Sequence, residues 1–168
     1  MFWKLIARLC AKPAIAEWLI NRSFKTPYTH ITSADGNDVY MGRWWFFNPY
    51  PIGSSGNRPR WQFPISVRVH HICREDSDRD LHDHPWNART IILKGWYVEQ
   101  RDVTRALTGL RNREAGDTAT LKFGEFHRIC EVSPGGVWTI FITGKYRGTW
   151  GFLVDGVKVQ WRKYLGLE

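Results

Sequence analysis

The stretch Leu81-His82-Asp83-His84-Pro85-Trp86 decides what fold and what chemistry this chain is expected to have. In an extended segment alternate side chains share a face, so His82 and His84 point the same way from backbones about 7 Å apart. That spacing lets both imidazoles turn onto one ion at about 2 Å each. Asp83, between them, must point to the opposite side. Pro85 has no backbone N–H to give a ladder, so it should end the strand and start a turn. A returning strand is then expected from Thr90 to Glu99, broken at Gly95. A third histidine, His127, follows a second strand-and-turn unit that begins at Gly116-Asp117 and runs through Gly124-Glu125-Phe126. Two histidines on one strand and a third from another would form a three-histidine pocket inside a β-barrel.

The pattern resembles the cupin superfamily. His82, His84 and Gly95 fit its first motif, and Gly116, Asp117, Gly124 and His127 fit its second, with Lys122 where a proline is usual. The resemblance covers about residues 64 to 155. It implies an all-β jelly-roll barrel (a double-stranded β-helix) over residues 26–168, behind an N-terminal helical extension over 1–25. It also implies a divalent transition metal, iron, zinc, nickel, manganese or copper, on His82, His84 and His127. Imidazole donors alone do not choose among these metals. The glutamate that cupins add as a fourth ligand would fall near Ala88 or Arg89, and neither is a carboxylate. Asp83, Glu99 and Glu125 are the candidate replacements. Arg89 in that position would repel a cation but could clamp a substrate carboxylate or phosphate. His-Asp-His-Pro-Trp is also similar to a set of phage and prophage cupin-like proteins, which would place the chain in a bacterial host cell.

Composition bounds the remaining choices. A chain of 168 residues is one domain by length. Ten tryptophans and 15% aromatics suit a compact β-rich fold. The net charge of +8 is scattered rather than blocked; it favours a small anionic ligand and makes nucleic acid a weaker expectation. Three cysteines without framework spacing argue against a disulfide scaffold and for a cytoplasmic setting. No apolar run is long enough to span a bilayer, and Lys4, Arg8, Lys12, Pro13 and Glu17 interrupt any signal-like core.

Along the chain, residues 2–11 and 13–22 have helical apolar spacing, with Pro13 at a helix start. This pair either packs on the barrel or across a homodimer, or touches a membrane surface or partner. Asp35-Gly36 signals a hairpin between 29–33 and 38–43. Residues 49–59 read as a loop, either a lid or a surface connection. In Ile65–Cys73 alternation sends one of His70 and His71 inward, and the resemblance favours His70. The acids of residues 74–80 either orient the histidines or belong to a solvated turn. Residues 100–115 read as a polar, arginine-rich loop, and Cys73 and Cys130 as small core residues. Strands are expected at 118–121, 126–132 and 138–143, and a final hairpin turns at Asp155-Gly156.

Two function classes follow. The first is a metal-dependent enzyme of oxygenase or isomerase type. Arg89, Arg128, His70, Glu99 and Tyr97 would contact its small anionic substrate. The second is a non-catalytic binding module, or phage accessory protein, that captures such a molecule or a host factor.

Overall fold

The computed structural model describes residues 1–33, 36–49, 63–78, 80–102 and 108–168. Two helices open the chain, α1 (Phe2–Cys10) and α2 (Pro13–Ser23), with Pro13 at the first turn of α2, where its missing N–H costs nothing. Strands β1 (Ile31–Thr32), β2 (Val39–Phe47), β3 (Ser66–Ile72) and β4 (Leu81–His82) follow. Next come β5 (Trp86–Lys94), β6 (Trp96–Asp102), β7 (Thr108–Glu114) and β8 (Thr118–Leu121). The chain closes with β9 (His127–Val132), β10 (Val137–Tyr146), β11 (Gly151–Val154), β12 (Val157–Gln160) and a short helix, α3 (Trp161–Tyr164).

The strands form two antiparallel sheets, β1-β2-β3-β10-β5-β8 and β12-β11-β4-β9-β6-β7. From β3 onward the chain repeatedly changes sheet: β4 leaves the sheet of β3, β6 leaves that of β5, and β9 leaves that of β8. The result is an all-β jelly-roll barrel with helices added at its N-terminus, as the family resemblance and the apolar spacing of residues 2–22 imply.

One sheet change depends on Gly95, which joins β5 to β6 with φ +80°. A Cβ there would lie 2.6 Å from both the Gly136 carbonyl oxygen and Ser133 Oγ, so close approach as well as backbone conformation requires glycine. The final turn uses the same chemistry, with Asp155 and Gly156 at φ +49° and +79° between β11 and β12.

Apolar residues sort onto two faces. Val69, Ile91, Leu93 and Ile140 face outward from the first sheet and are buried under Ala7, Ala16, Leu19 and Ile20 of α1 and α2. The helix pair therefore packs on the outside of the barrel. Inside, Ile72, Ile92, Tyr97, Ile129 and Val137 form a second cluster, and Ala88, Leu121 and Phe141 a third. The rest of the interior is unusually polar. Arg68, His70, Thr90, Glu99, His127 and Thr139 are all buried.

Two sequence expectations are corrected. The arginine-rich segment over 100–115 is a hairpin of β6 and β7 wherever it is described, not a loop; residues 103–107 lie outside the described residues. Ion pairs of Glu99 with Arg113 and Arg101 tie this hairpin together, so its strands lack the apolar alternation that signals a strand. Cys73 is exposed and Cys130 half-buried, so neither is a core residue. The expected loop at 49–59 lies outside the described residues from residue 50 onward, as does Asp35 of the first hairpin turn.

Substituting Gly95→Ala should destabilise the fold by about 2–3 kcal/mol or more, combining strain with a backbone clash. Urea unfolding at unchanged slope measures it. A loss below about 0.5 kcal/mol would show that the β5–β6 corner tolerates a side chain.

Candidate metal centre

The barrel holds a solvent-open cavity of about 780 Å³, and His82, His84 and His127 all line it. His82, on β4, stands directly opposite His127, on β9, in antiparallel register. His84 lies just past the end of β4, and its Nε2 is 2.9 Å from Nε2 of His127. One ligand atom from each ring falls within 4.8 Å of the others. The three expected ligands, from two separate segments, cluster on one part of the cavity wall.

Asp83 explains why the pair is held there. Its side chain points away from both rings, is fully buried, and accepts a 2.7 Å hydrogen bond from the Gly151 N–H. Its other carboxylate oxygen accepts from Lys158 Nζ, and its own N–H donates to the Gly151 carbonyl. The residue between the histidines thus fastens the strand to β11 and β12 while its neighbours face the cavity.

Each of two rings has a carboxylate behind it. Asp76 Oδ2 is 3.8 Å from His82 Nδ1, and Asp76 is itself fixed by the Ile129 N–H at 2.7 Å and by the Tyr40 hydroxyl. Glu99 Oε2 is 3.7 Å from His127 Nδ1. The Glu99 side chain is 1% exposed and pairs with Arg113 Nε at 2.8 Å and Arg101 Nε at 3.1 Å. Burial alone would raise its pKa, but the nearby His127 ring and the two guanidinium groups outweigh that and hold it at about 2. Both carboxylates stand where partners of metal-bound imidazoles stand, beyond the ring rather than at the ligand point.

The rings are electrically suited to bind a cation. Burial, with the His127 charge adding to it, pushes His82 down to about 4 against a smaller opposing effect of Asp76. His84 is driven well below the usual histidine range by burial and by His127, His82, His70 and Arg68. At neutral pH both are neutral, which is the form that ligates. Two nitrogens each about 2.0–2.1 Å from one ion lie ~3 Å apart when they meet it at roughly a right angle. The 2.9 Å between His84 and His127 matches that geometry, and three imidazoles clustered within 4.8 Å are donors of the type that suits a divalent transition metal.

The other candidate residues divide. His70 and Tyr97 line the cavity. His70 is buried and stacks on Phe141 at 5.1 Å, while His71 faces outward and stacks on Trp138. Glu99 sits behind His127 and does not line the cavity. Arg89 and Arg128 are corrections. Arg89 faces outward, its guanidinium 4.5 Å from the centre of the Trp3 ring and bonded to Thr118 Oγ1. Its neighbour Ala88 is the inward residue, against Leu121 and Phe141. A methyl group, not a cation, stands where the cupin pattern puts a carboxylate. Arg128 likewise leaves the cavity and donates to Gln100 Oε1 at 2.9 Å.

The sequence reading missed Arg68 and Arg43, both on the cavity wall. The available signal was parity: in Val67-Arg68-Val69-His70, Arg68 shares the inward face of His70.

No family model and no curated protein matches the sequence. Solved structures do. Oxalate decarboxylase from Bacillus subtilis, in a structure concerned with its Mn(II) centres, aligns with a TM-score of 0.56 at 10% identity over 87% of this chain and 33% of that one. An arginine-to-alanine mutant of the same enzyme gives 0.55 at 14% identity, over 88% and 33%. The barrel has the cupin jelly-roll fold. Fe(II)-HppE with an alternative substrate aligns with a TM-score of 0.50 at 10% identity, over 73% of this chain and 57% of that one. This cupin-fold chain spans about a third of the length of the oxalate decarboxylase chains it matches. No helix among the described residues is long and apolar enough to cross a membrane.

Replacing Asp83 by alanine should cost about 2–4 kcal/mol, because it orphans a buried N–H and the Lys158 ammonium, which is still partly in water. Chemical denaturation measures the loss. Stability within about 0.5 kcal/mol of the parent would remove Asp83 as the anchor of the histidine strand.

Proposed function

We propose that this protein is a metal-dependent cupin that holds one divalent transition metal on His82, His84 and His127 and acts on a small anionic molecule in the barrel cavity. The observation that carries this reading is the convergence of three imidazole nitrogens within 4.8 Å on the wall of the barrel cavity. Neutral rings, the carboxylates behind His82 and His127, and a cavity large enough for a metabolite-sized ligand all support it. A bound ion would supply Lewis acidity and coordination positions left open by the protein, which suits oxygenase or isomerase chemistry. This chain's residues would position the ion, exclude bulk water and orient the substrate. Tyr97, buried and with its pKa raised by burial and by Glu99, keeps its proton and presents a neutral hydroxyl.

A second reading, favoured by the buried cation Arg68 on the cavity wall, is capture of an anionic small molecule or host factor without turnover, as a binding module or phage accessory protein. That reading does not require the ion.

Protein prepared without a chelating tag and loaded with Mn(II), Fe(II) or Zn(II) should retain about one equivalent per chain by elemental analysis. His82→Ala and His127→Ala should each weaken retention at least about 100-fold while the barrel stays folded by circular dichroism. Absence of stoichiometric metal in the parent, or full retention in both variants, would overturn the metal reading. Metal bound with no conversion of small carboxylates or phosphates would favour capture.

A further inference from the structure

The wall formed by β2 and β3 carries groups that the metal site does not use. Arg43 stands opposite His70, and Trp45 opposite Arg68, in antiparallel register. Arg43, Arg68 and His70 all line the cavity, and Trp86 lines it beside them. Arg68 is only 3% exposed, yet its guanidinium carries a full charge among aromatic faces: Trp45 at 4.8 Å, Trp86 at 5.0 Å and Tyr28 at 5.5 Å. The Arg43 guanidinium lies over the same Tyr28 ring at 4.3 Å. Two cations thus flank one phenol ring inside a cavity. Aromatic faces hold a guanidinium by its charge and leave its N–H donors for a planar oxyanion.

Two further polar atoms converge there. His70 Nε2 and Trp86 Nε1 are buried without a hydrogen-bond partner, and such orphans call for an explanation. A ligand oxygen near Arg68 would satisfy the indole N–H, and the neutral imidazole can donate or accept according to its tautomer. The position is also productive. His84 stacks on Trp86 and packs against Phe141, which His70 also stacks on, so the wall adjoins the histidine cluster.

We propose that Arg68, Arg43, Trp86 Nε1 and His70 Nε2 form an oxyanion subsite that takes a carboxylate or phosphate of the ligand and presents the remainder of the molecule to His82, His84 and His127. This deepens the preceding reading, since it rests on the cavity being the ligand site, but it does not require the metal.

The test uses metal-free full-length protein at low ionic strength. Inorganic phosphate and succinate are titrated separately and followed by tryptophan fluorescence, which Trp45 and Trp86 report beside Arg68. Saturable binding of at least one probe is expected, and the stronger probe identifies the oxyanion. Arg68→Lys, which keeps the charge but loses the planar fork, and Arg43→Gln should each weaken it at least about tenfold. Trp86→Phe, which keeps the ring but loses the N–H, should weaken it several-fold. Arg89→Gln, on the outer face, should bind within about twofold of the parent. If Arg68→Lys fails to fold, Arg43→Gln and Trp86→Phe carry the decision. No saturable binding at millimolar concentrations of either probe, or parental affinity in the folded cavity variants, would overturn the subsite. Oxyanion binding that persists in a protein unable to retain metal would support the subsite and defeat only the metal reading.

Discussion

A buried carboxylate with its back to the cavity governs this architecture. Asp83 is surrounded by protein, and its charge is compensated by the Gly151 N–H and by Lys158. An isolated carboxylate in such a place would be prohibitively costly, so the β4 segment is stable only when docked against β11 and β12. Docking fixes the parity of the strand, and parity turns His82 and His84 inward together. The β4–β9 pairing then brings His127 opposite His82. The site is therefore a consequence of how one strand is anchored, and the anchor is chemically separate from the ligands.

The interior reflects the same division of labour. Ile72, Ile92, Ile129 and Val137 pack together as an ordinary apolar core, with Ile72 and Ile129 also reaching the cavity wall. The cavity sets histidines, arginines and tyrosines among apolar and aromatic walls, and these buried polar groups would be destabilising without their arrangement. Aromatic faces shield the Arg68 guanidinium, and burial keeps His82 and His84 neutral. Outside, the helix pair covers Ile91 and Leu93, so the first sheet is buried on both faces where the cavity wall must be rigid. Rigid walls hold polar groups at fixed separations, which both metal binding and oxyanion recognition need.

Much of this was legible in the sequence because the decisive residues act locally. His82-Asp83-His84 states its parity within three residues, Gly95 and Asp155-Gly156 mark turns that need positive φ, and His70 follows from the alternation of β3. Arg89 failed for a related reason. Its inward or outward direction depends on where β5 begins after the Pro85 turn, and a displacement of one residue exchanges it with Ala88. The β6–β7 hairpin was hidden because ion pairs such as Glu99 with Arg113 replace apolar alternation. Arg68 was legible by its parity with His70 but went unread, and spacing left the acids of 74–80 between orienting the histidines and a solvated turn, because only the closure of the barrel brings the Asp76 segment to His82.

X-ray absorption at the edge of a metal added stoichiometrically tests the central claim most directly, because it reads the ligands themselves. Three imidazole nitrogens meeting at one ion predict a nearest shell at about 2.0–2.1 Å with the outer scattering of imidazole rings, lost in His84→Ala. A shell of oxygen or sulfur without imidazole scattering, or an unchanged spectrum in that variant, would contradict the convergence of His82, His84 and His127 on one metal.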